Sequence, residues 1–244
     1  MPDANNTSNS ESINSYNERS GVMSKQEWHD HVDKEVISAQ STGEILSVIF
    51  IDIDFLKDIN DTFGHDEGDN VINLLHSAVT LLKENFRTNE KPGEDRPLDF
   101  VSVDTPQPVP EVEVNVNGKS IKITPGRIGG DEFAALCHTD ESGVQVIIKR
   151  LRELFGSSVS DELKAMGIDI SVGASTLKPG MTKSQFLRLA DERLNVDKEA
   201  HLPTRNSEEV MILRSIVKQL KAMHIRPRHL GKYAEVYAKD IVNN

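Results

Sequence analysis

Apolar residues recur at two different spacings along this chain, and the points where the spacing changes divide it into elements. Ser24 with Glu27 three residues on can cap a helix whose apolar face is Trp28, Val32, Val36 and Ile37, and Gly43 ends it. The apolar run from Leu46 to Ile51, rich in β-branched residues, predicts a central strand covered on both faces. Phe55 to Asp61 reads as a short helical turn and Thr62 to Asp69 as a loop. A long amphipathic helix then carries Val71, Leu74, Leu75, Ala78, Val79, Leu81, Leu82 and Phe86 on its buried stripe.

The pattern changes over residues 88–110, where five prolines stand among charged and polar residues and predict a loop or insertion. Residues 111–116 and 119–124 alternate around Asn117-Gly118, a preferred pair for a two-residue hairpin turn, so a β-hairpin is expected. Pro125-Gly126 should interrupt it. A strand over 133–137, a helix over 142–155, a strand over 168–175 and a helix over 183–200 follow, then helices over 207–223 and 229–242. The class is α+β. Residues 1–20 lack apolar periodicity and are expected to be a disordered tail, 21–206 the core with an insertion at 88–124, and 207–244 a helical appendage whose basic stretch His224 to His229 is a solvated helix junction.

Composition narrows the possibilities. A net charge of −11 over 244 residues argues against a broad nucleic-acid footprint. No segment has the ~20 consecutive apolar residues needed to cross a bilayer, and the Asn- and Ser-rich start lacks the parts of a secretory signal, so a cytoplasmic location away from the membrane is expected. The single cysteine, Cys137, excludes an internal disulfide and reads as a buried strand residue. His29 and His31 stand two apart on a helix and therefore point to different faces, which disfavours a zinc pair. There is no phosphate-binding Gly-rich loop ending in Lys-Ser or Lys-Thr.

Chemistry concentrates in two acidic blocks. Arg127-Ile128-Gly129-Gly130-Asp131-Glu132-Phe133 sets two glycines and two acids between apolar residues, the pattern of a tight turn that presents carboxylates. Asp52-Ile53-Asp54 closes the first strand. Carboxylates from two strand ends could share a divalent cation, which would neutralise an anionic ligand on an acidic protein.

These blocks resemble a known family. The stretch Asp52 to His65, Gly68-Asp69 and Gly129-Gly130-Asp131-Glu132-Phe133 are similar, in order, to the GGDEF domain of diguanylate cyclases, with the resemblance covering about residues 24–200. It implies a palm-like fold with a central, mostly antiparallel sheet flanked by helices. It also implies a signalling transferase that joins two GTP into cyclic di-GMP with Mg2+ or Mn2+, one GTP on each subunit of a homodimer. Attack of a ribose hydroxyl on an α-phosphate needs such metals to stabilise the leaving charge.

Carried over by position, the metal would be held by Asp52, the Ile53 carbonyl, Asp131 and Glu132, with Asp131 assisting removal of the 3′-hydroxyl proton. Lys57 would neutralise triphosphate charge. Asn60 and Asp69 would read guanine, since a carboxylate accepts from its N1 and N2 hydrogens. His65, Gly129, Gly130 and Lys198 would line the substrate. The family's arginine four residues after that lysine is Leu202 here, its Arg-x-x-Asp before the acidic turn is absent, and its usual stretch before the first strand is only partly matched. Product feedback through that motif is not expected. The long segment between Gly68-Asp69 and Gly129-Gly130 is expected to decorate an edge, with covering the site and mediating dimerisation as the alternatives. A second possibility is a catalytically degenerate module that binds GTP or another nucleotide and regulates a partner.

Overall fold

The computed structural model describes residues 22–85, 112–116, 119–205 and 207–222. The 1–20 tail, the proline-rich 88–110 stretch, Phe86, the Asn117-Gly118 turn and the 229–242 helix lie outside them. The elements run α1 (Lys25–Thr42), β1 (Ser47–Ile53), α2 (Leu56–Phe63), α3 (His65–Asn85), β2 (Val112–Val116), β3 (Lys119–Arg127), β4 (Glu132–Cys137), α4 (Glu141–Ser158), α5 (Asp161–Ala165), β5 (Ile170–Thr176), α6 (Lys183–Arg205) and α7 (Glu208–Ala222). One sheet in the order β2-β3-β4-β1-β5, antiparallel at every pairing, lies between helices on both faces, the expected α+β, palm-like arrangement.

Strand alternation divides the core in two. Ile49, Ile51 and Ile53 of β1, with Phe133, Ala135 and Cys137 of β4, pack against α2, α3 and α4. Leu46, Val48, Ala134 and Leu136 face the other way, onto Trp28, Val32, Val36 and Ala39 of α1 and Phe186 and Ala190 of α6. Burial pushes the Cys137 thiol well above its ordinary range, so it is an inert core residue. On β5 the residues facing α6 are small. A Cβ on Gly173 would run into the backbone of α6 at Ala190 and Leu194, and the Ser175 hydroxyl donates to the Phe186 carbonyl at 2.6 Å. The helix therefore lies against the strand without intervening side chains.

Several boundaries differ from the sequence expectation. In α1 the buried stripe is Trp28, Val32, Val36 and Ala39, while Ile37 is 68% exposed, because a 3.6-residue repeat carries position 37 off that face. The Ser24–Glu27 capping box forms as expected. Residues 65–69 are not loop: α3 begins at His65, directly after Gly64 breaks the chain at φ 95°. Its first turn places Asp66 and Glu67 at a helix N-terminus, where acids are favourable.

Pro125-Gly126 does not interrupt β3, which continues in register with β4 as Pro125↔Ala135 and Gly126↔Ala134. Beyond the end of β2 the outer edge of β3 needs no donor from Pro125. Instead the Pro125 carbonyl accepts from the Met23 N–H at 3.1 Å, and the Arg127 N–H donates to the Met23 carbonyl at 2.9 Å. Gly126 is bare because Trp28 lies on it. The second strand of the hairpin is thus part of the main sheet.

Candidate active site

The antiparallel register brings the two acidic blocks together. Asp52 is paired across the sheet with Glu132, and both stand on the α6 side of their strands. Like charges directly opposite one another are unfavourable, and Asp52 is only 9% exposed. Its carboxyl is accordingly held above the ordinary value, first by loss of solvation and further by Asp131 and Glu132, with Lys198 opposing the shift. Lys198 of α6 places Nζ 2.9 Å from Asp52 Oδ2. A cation already meets this buried acid.

The turn between β3 and β4 is closed by the Glu132 carbonyl, which accepts from the N–H groups of Ile128 at 2.9 Å and Gly129 at 3.2 Å. Arg127 braces it from outside, donating to the Gly130 carbonyl at 2.6 Å and lying over the Phe133 ring. A side chain on Gly129 would strike the Glu132 carboxylate, whereas the space over Gly130 is open. Neither glycine has positive φ, so close approach, not a left-handed turn, accounts for Gly129. Asp131 is half-buried and Glu132 exposed at the strand end.

The next group stands on α2 and α3. Lys57 is exposed, and among the described residues no acid pairs with it. Asn60 is half-buried, and the reason for glycine at 68 is visible: a Cβ there would occupy the place of the Asn60 carboxamide. Helix α3 thereby cradles that side chain. Asp69 and His65 are exposed on the first turns of the same helix. The base reader proposed from sequence therefore combines one braced amide with one solvated carboxylate.

One participant, His201, was not singled out from the sequence, and Asp54 was read only as part of the acidic block. Asp54, 5% exposed, accepts from the Ser171 hydroxyl at 2.6 Å, and its other oxygen lies 2.5 Å from Nδ1 of His201. His201 follows Lys198 by three, so one face of α6 covers both Asp52, near the end of β1, and Asp54, just past it. The i, i+3 spacing was the available signal. Phe55 takes φ 64°, unusual for a bulky residue, where the chain leaves β1 for α2.

A divalent ion fits these donors. Asp52 and Glu132 are paired on facing strand ends, and the buried Asp52 beside two further acids is an arrangement that a cation relieves. No group of three such ligands is preassembled among the described residues, consistent with Lys198 supplying the positive charge.

Comparison with known proteins points the same way. The family model described as diguanylate cyclase, GGDEF domain, matches residues 15–93. The chain is 26% identical over 193 residues to the probable diguanylate cyclase DgcC of Escherichia coli, covering 78% of this chain and 41% of that protein. It is 29% identical over 177 residues to the response regulator PleD of Caulobacter vibrioides, covering 70% and 31% respectively. It thus spans less than half the length of these curated relatives. The solved GGDEF domain of DgcB from Caulobacter crescentus, in complex with c-di-GMP, shares the fold with a TM-score of 0.50 at 20% identity, over 73% of this chain and 86% of that one. The two acidic blocks, in order on facing strand ends, and the fold agree with these matches: the chain is similar to the GGDEF domains of diguanylate cyclases.

Proposed function

We propose that the chain condenses two GTP into cyclic di-GMP and pyrophosphate, using a divalent metal and a second copy of itself. The observation that carries this is the pairing of Asp52 with Glu132, beside Asp131, at the mouth of the sheet. Asp52, the Ile53 carbonyl, Asp131 and Glu132 would hold Mg2+ or Mn2+. When bound, that ion supplies charge stabilisation at the phosphates.

The chain's own residues account for the rest. Exposed Lys57 has its charge available for a triphosphate. Asn60, fixed against α3, and Asp69 suit the edge of guanine. Asp131, half-buried beside the acid pair, would draw the proton from the 3′-hydroxyl. A second subunit is needed because the hydroxyl of one GTP must reach the α-phosphate of the other.

The test is incubation of the protein with GTP and Mg2+, with products separated by mass. Cyclic di-GMP is expected from the unaltered chain and not from Asp131→Asn. A chain that binds a non-hydrolysable GTP analogue yet forms no product at high protein concentration would sink the enzymatic reading. The regulatory module would take its place, and Lys198 lodged on Asp52, with Leu202 where the family has arginine, is what favours it.

A further inference from the structure

Helix α7 reaches the base of the nucleotide site through one side chain. Arg214 places Nη1 3.4 Å from Asp58 Oδ2, donates from Nη2 to the Met166 carbonyl at 3.3 Å, and sets its guanidinium carbon 5.6 Å from the centre of the Phe55 ring. Its side chain is 18% exposed. These partners flank Asp54 on both sides. Phe55 and Asp58 follow it in the chain, and Met166 begins the short segment whose Asp169 carbonyl accepts from the Asp54 N–H at 2.9 Å.

The turn that Arg214 holds needs holding. Phe55 is the one non-glycine residue with positive φ among the described residues, a conformation that persists only when its surroundings impose it. Helix α2 has eight residues and no side-chain cap at its start, and a helix so short is marginal alone. Leu56 and Ile59 fix its buried side. Arg214 fixes the polar side, by an ion pair to the first turn and a cation over the ring. Lys57 and Asn60 project from the same two turns.

We propose that Arg214 is a positioning residue: by clamping the Phe55 turn and the first turn of α2 it sets where Lys57 and Asn60 stand toward bound nucleotide. The consequence for affinity rests on the nucleotide-site reading above; the clamp itself does not. Helix α7 is thereby part of the site's support, with Val210 as its buried apolar contact.

The test uses the full chain, a non-hydrolysable GTP analogue with Mg2+ in calorimetry, and hydrogen exchange of residues 55–60. Arg214→Ala is expected to weaken analogue binding about tenfold while the melting temperature falls by only about 2–4 °C, leaving the chain folded at the assay temperature. Exchange over 55–60 should rise. Asp58→Asn should weaken binding less, the double variant no more than Arg214→Ala alone, and Arg214→Lys should recover part of the loss. Unchanged affinity and exchange in Arg214→Ala, or additive effects in the double variant, would overturn the proposal. Should the unaltered chain bind no analogue, the nucleotide reading fails, and exchange alone decides the clamp: a rise in Arg214→Ala supports it and no change overturns it.

Discussion

Asp52 and Asp54 stand two residues apart at the end of β1, both buried and both met by α6, and the fold treats them in opposite ways. Each oxygen of Asp54 has a partner, the Ser171 hydroxyl on one and the His201 ring on the other. Asp52 meets Lys198 at one oxygen, with Glu132 opposite and Asp131 nearby raising its pKa. A buried acid with a full set of donors belongs to the architecture. One packed toward its own kind is costly to keep ionised, and the cost is explained if a cationic or metal-bound ligand completes it.

Substitutions can break this contrast. The largest effect expected is on turnover: Asp52→Asn should lower cyclic di-GMP formation roughly 1000-fold or more, measured at saturating GTP and Mg2+. Next comes stability at the neighbouring acid. Asp54→Ala should cost about 3 kcal/mol in urea unfolding, because it leaves the Ser171 hydroxyl and the His201 ring without their buried partner. Ser171→Ala removes one donor and should cost about 1 kcal/mol.

The smallest effect has the opposite sign. Asp52→Asn should raise the melting temperature at pH 7 by roughly 2–4 °C, the shift that about 1 kcal/mol produces in a chain of this size. A raised carboxyl pKa means that the folded state prefers the protonated form. The associated stability is therefore complete below the ordinary value of 3.8 and lost as pH rises through the folded value. The advantage of the amide should shrink accordingly as the solution is acidified toward 3.8. A variant less stable than the parent at pH 7 would place Asp52 in the same structural role as Asp54.

Much of this was legible in the chain, where local pattern and local physics coincide. The order of elements, the central strand ending in Asp52 and the capping box at Ser24 all follow from short-range spacing. The start of α3 did not, since Gly64 and Gly68 among polar residues resemble a loop. One glycine in fact breaks the helix, and the other makes room inside α3 for Asn60. Pro125 misled for a related reason: proline is excluded where a ladder needs its N–H, and only the sheet order shows that this edge does not. The partnership of Asp54 with His201, 147 residues apart, is hinted at only by the spacing of His201 from Lys198, and that of Arg214 with Asp58 is set by helix docking, which leaves no local trace.

Helix α6 also serves the sheet's margin. Its Asp197 accepts from the outward N–H of Val172 at 2.7 Å, and its Arg193 donates to the carbonyl of Ala174 at 2.7 Å. These are the groups that another chain's strand would need in order to add itself at β5. With these two engaged, β5 is a poorer template for an added strand. The helix that guards the acids therefore also blunts the open edge of the sheet.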